Sequence, residues 1–351
     1  MKLWKKSPKK LPPGSDKKGS VILVLTATVL TLTFSAVLVL VNMSFREYKS
    51  AILESKNLQA RLLARSGIEA SIALLQRVSP EILYQFGAFS MPFPIVLGKG
   101  EVLLSLSEES GKLNVNRLVH FFDDEEDLLV REWFENLSVT LGIDGAIWDE
   151  VTDYIDENSV AMPSGREYAE EGMVPVKNGR LHDIRELLLL PAFSAPLLYS
   201  PLIKADQESM NFATEEEKLA RQTESSVLSE LLTVYLPDNP GSADSHKINV
   251  NSAGYTVLRS IHPEMTDDIA RNIIIERIKA GGRFDSLDDL SAVPGILVNS
   301  GGVPLLDKLK SRLRTEDLIY KIVAEARIDS QHAHAMAVFD REAKKVTGYL
   351  D

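Results

Sequence analysis

Cysteine is absent from all 351 residues, so no disulfide can staple this fold. Its stability has to come from packing, with a bound metal as the remaining aid. Catalytic constellations are missing too. The six histidines, His120, His182, His246, His262, His332 and His334, include no HExxH spacing, no nucleophile stands beside a base, and no glycine-rich phosphate loop occurs. An enzyme is therefore not expected. His332 and His334, two apart in a strand or edge loop, read as a chance pair. Basic charge is in short supply. The formal net charge is −11, and residues 1–19 hold seven lysines against one aspartate, so the remainder carries 32 basic and 49 acidic residues, a net −17. Nucleic-acid binding needs basic surface to displace counterions, and this balance argues against it.

Length allows two or three domains, and 44% hydrophobic residues suffice for a folded core. Residues 21–41 contain no charge, proline or glycine; at 21 residues the run is long enough to span a bilayer as one helix. Lys2, Lys5, Lys6, Lys9, Lys10, Lys17 and Lys18 precede it, and nothing charged follows until Arg46. That asymmetry holds the N-terminus in the cytoplasm and sends the rest outside. The small-residue site Gly19-Ser20 lies before the apolar run, whereas a secretory signal is cut behind its own. Cutting there would remove the lysines and keep the anchor. This arrangement resembles the class III leader of type IV pilins and type II secretion pseudopilins, which a prepilin peptidase cleaves after the glycine, with N-methylation of the new first residue, here Ser20. An uncleaved signal anchor that carries a glycine is the other reading.

Beyond residue 41 the pattern turns amphipathic without a breaker: Phe45, Tyr48, Ile52, Leu58, Leu62, Ile68, Ile72 and Leu75 recur at helical spacing, and no proline comes before Pro80. The spacing predicts one helix from Ser20 to about Val78, roughly 88 Å long at ~1.5 Å per residue. Residues 96–106 then read as a hairpin around Gly98-Lys99-Gly100.

Two phrases recur in the same order. Lys112-Leu113-Asn114-Val115-Asn116 returns as Lys247-Ile248-Asn249-Val250-Asn251, each with its second asparagine placed to cap a following helix. Leu181-His182-Asp183-Ile184-Arg185-Glu186-Leu187, running to Pro191, returns as Phe284-Asp285-Ser286-Leu287-Asp288-Asp289-Leu290, running to Pro294. Two related helical units follow, with short helices expected over 253–261, 267–280 and 287–293 in the second. This unit resembles helix-hairpin-helix or SAM-like modules, some of which bind DNA. Asp285, Asp288 and Asp289 outweigh the nearby Arg277, Lys279 and Arg283, so a structural or protein-contact role is favoured.

Taken with Leu63-Ala64-Arg65-Ser66-Gly67-Ile68-Glu69-Ala70, Glu109-Ser110-Gly111 and Leu232-Thr233-Val234-Tyr235, the chain resembles the type II secretion minor pseudopilin K family (general secretion pathway protein K, GspK) along nearly its whole length. The resemblance implies an α+β, pilin-like fold: a long N-terminal helix packed on a small antiparallel sheet, with a large inserted α-helical domain holding the two SAM-like, helix-hairpin-helix-like units. The segments are a leader at 1–19, the transmembrane half of the helix at 20–43, pilin-like parts at 44–111 and 311–351, helical units at 112–200 and 246–310, and a connection at 201–245. It further implies a non-enzymatic subunit capping a periplasmic pseudopilus and helping to start its assembly, with minor pseudopilins I and J and other pseudopilins as partners. The prepilin peptidase and the inner membrane complete the partners, and no nucleic acid is expected. Val24 stands where most such subunits carry an assembly glutamate, an absence typical of subunit K. Ser20 in place of the commoner phenylalanine or methionine, and the lack of cysteine, depart from the pattern. A type IV minor pilin or a membrane-tethered DNA-uptake protein are the alternatives.

One group of side chains has metal-ligand character. If 143–157 is helical, Asp149, Asp153 and Asp156 share a face, and Glu157, Asn158 and Glu167 could complete an oxygen shell for calcium. Some K-type pseudopilins bind calcium in this domain. The same carboxylates also read as the solvated face of an acidic protein.

Overall fold

The computed structural model describes residues 15–85, 88–89, 91–98, 100–167, 175–203, 214–222, 224–241, 246–300 and 302–350. Residues 1–14 of the expected leader, Lys99 at the hairpin tip and 204–213 of the expected connection lie outside the described residues. In chain order come α1 (Ser15–Arg77), α2 (Pro80–Gln85), β1 (Phe93–Leu97), β2 (Gly100–Glu108), β3 (Leu113–Asn114), α3 (Leu128–Leu141), α4 (Ile147–Ile155), α5 (Ala195–Tyr199), α6 (Glu215–Gln222), α7 (Leu228–Leu231) and β4 (Leu232–Thr233). Then follow β5 (Ile248–Asn249), α8 (Tyr255–Ser260), α9 (Asp267–Lys279), β6 (Asn299–Ser300), β7 (Val303–Pro304), α10 (Leu305–Lys310), β8 (Leu313–Arg314), β9 (Ile319–Ile328), β10 (Gln331–Asp340) and β11 (Lys345–Leu350).

With no proline to stop it, α1 runs unbroken for 63 residues, about 95 Å at ~1.5 Å per residue. Among the described residues it is the one helix long and apolar enough to cross a membrane. Thr26, Thr28, Thr31 and Thr33 donate their hydroxyls to carbonyls one turn back, so these four donors are satisfied within the helix, as a bilayer would require.

The far end of α1 covers an antiparallel sheet of order β1-β2-β9-β10-β11. Ala60, Ala64, Ile68, Ile72 and Leu75 are buried, most of them against Val102, Leu104, Leu106, Ile322, Ala324 and Phe339. This stripe differs from the expected one: Leu58 and Leu62 stay 58% and 54% exposed while the neighbouring alanines go inside. Close approach of helix and sheet explains the choice. A Cβ on Gly67 would fall 2.8 Å from Val102 Cγ1, and one on Gly100 would fall 2.3 Å from Leu63 Cδ2, so small residues line the seam. Gly67→Val is expected to lever α1 off the sheet and cost at least about 1–3 kcal/mol; a thermal melt equal to that of the parent protein would refute the tight seam.

β2 and β9 are neighbours in the sheet, so everything between Glu108 and Ile319 is an insertion. Its two units are built alike. In the first, Asn116 Nδ2 donates to Leu181 O (2.8 Å) and Val234 O (2.7 Å), and its Oδ1 accepts from Leu181 N (2.7 Å). In the second, Asn251 Nδ2 donates to Phe284 O (3.0 Å) and Thr315 O (2.8 Å), and its Oδ1 accepts from Phe284 N (2.8 Å). Short parallel pairs, β3 with β4 and β5 with β8, flank these clips. Each unit also carries a capping box at the start of a 3-10 turn, Asp183 with Glu186 and Ser286 with Asp289.

Two sequence expectations change. It is the first asparagine of each phrase that caps, Asn114 toward Asn116 N and Asn249 toward Asn251 N, because the second is drawn sideways into the clip. The first unit closes at 232–234 and the second at 313–315, beyond the expected ends at 200 and 310, since the clip needs a returning strand. Both units share one continuous core, with Trp133, Phe134 and Trp148 on one side and Leu258, Ile261 and Ile273 on the other.

Candidate metal centre

Asp127 starts α3 by accepting from Leu129 N and Val130 N, and Gly142 ends it in the left-handed region at φ 68°. The turn delivers α4, which buries Trp148, Val151 and Ile155 in the core. Asp149, Asp153 and Asp156 follow at the expected spacing and are all buried, at 6%, 0% and 3% exposure. The helix stops at Ile155, so Asp156 is its extended C-cap.

Burial commits these carboxylates differently. Asp149 is taken by Arg131 Nη2 at 2.5 Å and by Ser164 N at 3.0 Å. Asp153 accepts from Met162 N at 3.0 and 3.1 Å, so the 156–167 loop wraps around it. Gly165 permits this wrap: a Cβ there would fall 2.0 Å from Asp153 Oδ2. Asp156 Oδ2 accepts from Asn158 Nδ2 at 2.7 Å, but its Oδ1 is sealed from solvent without a hydrogen-bond partner, and so is Glu167 Oε1.

Ligand oxygens of Asp153, Asp156 and Glu167 lie within 4.8 Å of one another. The other two carboxylates expected in the shell are not brought in. Asp149 is neutralised by Arg131, and Glu157 is exposed, contributing only its N–H, which donates to Asp124 Oδ2 at 2.7 Å. Asp124 is the residue sequence reasoning missed. It holds a positive φ of 59° and lies close enough to raise the pKa values of Asp156 and Glu167. Its place in the acidic run 123–127 gave no spacing signal.

Burial, then the charges of Glu167, Asp153 and Asp124, push the Asp156 carboxyl up to about 7. Burial also raises Asp153 and Glu167. Three crowded carboxyls with two orphaned buried oxygens form a set of hard donors that fits a divalent cation taking oxygen ligands.

The glycine-bearing hairpin of the second unit is less suited to phosphate. Arg277 points inward to Val250 O and Ala253 O, Arg283 donates to Thr315 O, and Lys279 pairs with Glu276 at 2.7 Å. The bases that sequence offered for DNA are occupied within the protein.

Comparison with known proteins bears on both units. Residues 111–202 and 248–307 match two family models, each described as type II secretion system (T2SS), protein K. Among solved structures, a chain of the GspK-GspI-GspJ complex from the enterotoxigenic Escherichia coli type 2 secretion system aligns with 88% of this chain and 98% of its own length. The TM-score is 0.51 and the identity 17%, a likeness of fold. A comparison with curated proteins finds no match. Each matched segment falls in one of the two clipped units, and the solved fold shares the long helix, the sheet and the insert: both units belong to the type II secretion system protein K family, and the chain has the fold of that solved structure.

Proposed function

We propose that this minor pseudopilin is a non-enzymatic subunit at the tip of the periplasmic pseudopilus, where it helps to start assembly. The observation that carries the reading is the division of α1. Its outer end is sealed on the sheet, while Phe45, Tyr48, Leu58 and Leu62 lie 54–72% exposed between the apolar span and the head. A rod with bare apolar side chains above the membrane is suited to being covered by neighbouring helices. Minor pseudopilins I and J are the proposed neighbours, with Val24 leaving this subunit no carboxylate to bury against a subunit ahead of it. A prepilin peptidase would cut after Gly19 and methylate Ser20, leaving a single-pass inner-membrane protein with its N-terminus cytoplasmic and its head periplasmic. A type IV minor pilin would share the rod but has no claim on the two matched protein K units.

Co-expression with I- and J-type pseudopilins tests the assignment: a stable ternary complex is expected, weakened by charges at Leu58 and Leu62. N-terminal sequencing of the mature protein should begin at Ser20, and an intact leader would sink the processing step.

Calcium is the cation proposed for Asp153, Asp156 and Glu167. At about 100 times its dissociation constant it should stabilise the protein by about 2.7 kcal/mol, read as a rise in Tm. Asp156→Asn should abolish that rise while leaving the calcium-free protein as stable or more so, because it relieves repulsion. A variant that still responds fully to calcium contradicts the ligand set.

A further inference from the structure

The outer face of the sheet, away from α1, carries a second group of metal-ligand side chains. In β10, His332 and His334 occupy alternate positions and so project to the same face. Register places Glu325 directly opposite His334, and Arg327 between His332 and Glu101. All five side chains are exposed, and together with Leu103 they line an open depression of about 450 Å³. Among the described residues, the side chains of His332, His334, Glu325 and Glu101 make no hydrogen bond or ion pair. Arg327 Nε donates to Asp329 O at 3.3 Å, turning toward the β9–β10 turn.

We propose that His332, His334 and Glu325 form a surface site for a divalent transition-metal ion such as Zn²⁺. Side chains two apart on a strand stand about 6.6 Å apart at their roots, and directly opposed side chains about 4.5–5.5 Å. Two imidazoles and a carboxylate can lean together from that triangle to metal–ligand distances of about 2.0–2.2 Å. Imidazole nitrogen selects zinc, copper or nickel over calcium, so this site and the all-oxygen cluster at α4 differ in the ion they favour. Glu101 adds a negative charge that offsets Arg327 at the rim. Positions left open on the metal would be filled by water or by a side chain of an adjoining protein. The two histidines looked accidental in the sequence; the sheet gives them a common face and a carboxylate that lies nine residues away along the chain.

The test is zinc titration of the full-length protein in detergent by calorimetry, with calcium in excess to fill the oxygen cluster. Saturable uptake of one zinc per chain is expected. His332→Gln and His334→Gln should each weaken it by at least ~10-fold, Glu325→Gln should weaken it measurably, and Asp156→Asn should leave it unchanged. Co²⁺ substitution adds a readout independent of affinity, a visible absorption band lost in the histidine variants. Absence of saturable uptake, uptake indifferent to the histidines, or loss on Asp156→Asn would each overturn the site, and full affinity in Glu325→Gln would overturn the three-ligand set.

Discussion

Asn251→Ala is expected to destabilise the inserted domain by about 2–6 kcal/mol, from two buried backbone groups, Phe284 N and Phe284 O, left unpaired at roughly 1–3 kcal/mol each. Asn251 is 3% exposed, and its amide pairs Phe284 N and Phe284 O from inside the fold and shares Thr315 O with Arg283 Nη2. Water cannot easily replace it at Phe284, whose two backbone groups are buried. Asn251→Asp should do no better, since it keeps the acceptor but aims a carboxylate at two carbonyls. Asn116→Ala should behave alike, because Asn116 holds Leu181 and Val234 in the same way. Since both units share one core, each variant should shift a single cooperative transition in urea. A shift worth under ~1 kcal/mol would show that the clips are incidental.

The second large effect is a pH dependence that runs against the usual direction for carboxylates. Where β2 hands the chain to the insert and the insert hands it back, the Glu108 carboxyl lies beside that of Asp317, each close enough to act on the other's proton. Two such carboxyls are best accommodated with one proton between them. Asp317 is 5% exposed and also accepts from Ser110 N and Ser252 Oγ, each at 3.2 Å, and from Asn249 Nδ2. Arg283 and Arg277 from the second unit and Tyr320 from β9 are the other ionisable groups facing the pair. Burial, then the charge of Asp317, raises Glu108 well above its ordinary value, and burial raises Asp317 as well.

The folded protein therefore keeps a proton that the unfolded chain has already lost. Stability is fully present below the unfolded value near 4.5 and falls as pH climbs toward the raised folded value. Within that window the slope is up to about 1.4 kcal/mol per pH unit. Glu108→Gln keeps a donor toward Asp317 and removes the titration, so its stability should hardly change over the range in which the parent protein weakens. Asp317→Asn should instead weaken the protein at every pH, because with Oδ1 kept for Ser110 and Ser252 its Nδ2 stands where Oδ2 accepts from Asn249 Nδ2, setting donor against donor. Urea midpoints measured from pH 5 to 8 distinguish the two, and a parent protein that strengthens with pH there would refute the shared proton.

Much of this fold was legible because its signals are local or repeated. An apolar run without breakers makes α1, and two copies of an Asn-Val-Asn phrase announce two units before any contact is known. The stripe on α1 was misread at Leu58 and Leu62 because hydrophobic spacing says nothing about how near the partner lies; Gly67 was the available hint. At the metal centre, helical spacing placed three aspartates on one face, yet it could not foresee that Arg131, from another helix, would claim Asp149. Asp124 joined from 33 residues away in sequence, through its bond with Glu157 N. Long-range pairings of that kind leave no periodic trace.

The adjacency of β2 and β9 also sets a timetable. Three of the five sheet strands come after residue 318, while the insert finishes its own core and second clip by residue 315. A chain emerging from its N-terminus can thus anchor α1 and complete the insert before the sheet exists, because contacts distant in sequence form late. Until β9, β10 and β11 arrive, the face of α1 from Ala60 to Leu75 has little to rest on, and rod and head are joined only by slack chain. The last few dozen residues decide when a newly made subunit becomes a single rigid body, so a copy cut short there would hold its place in the membrane with nothing firm to present.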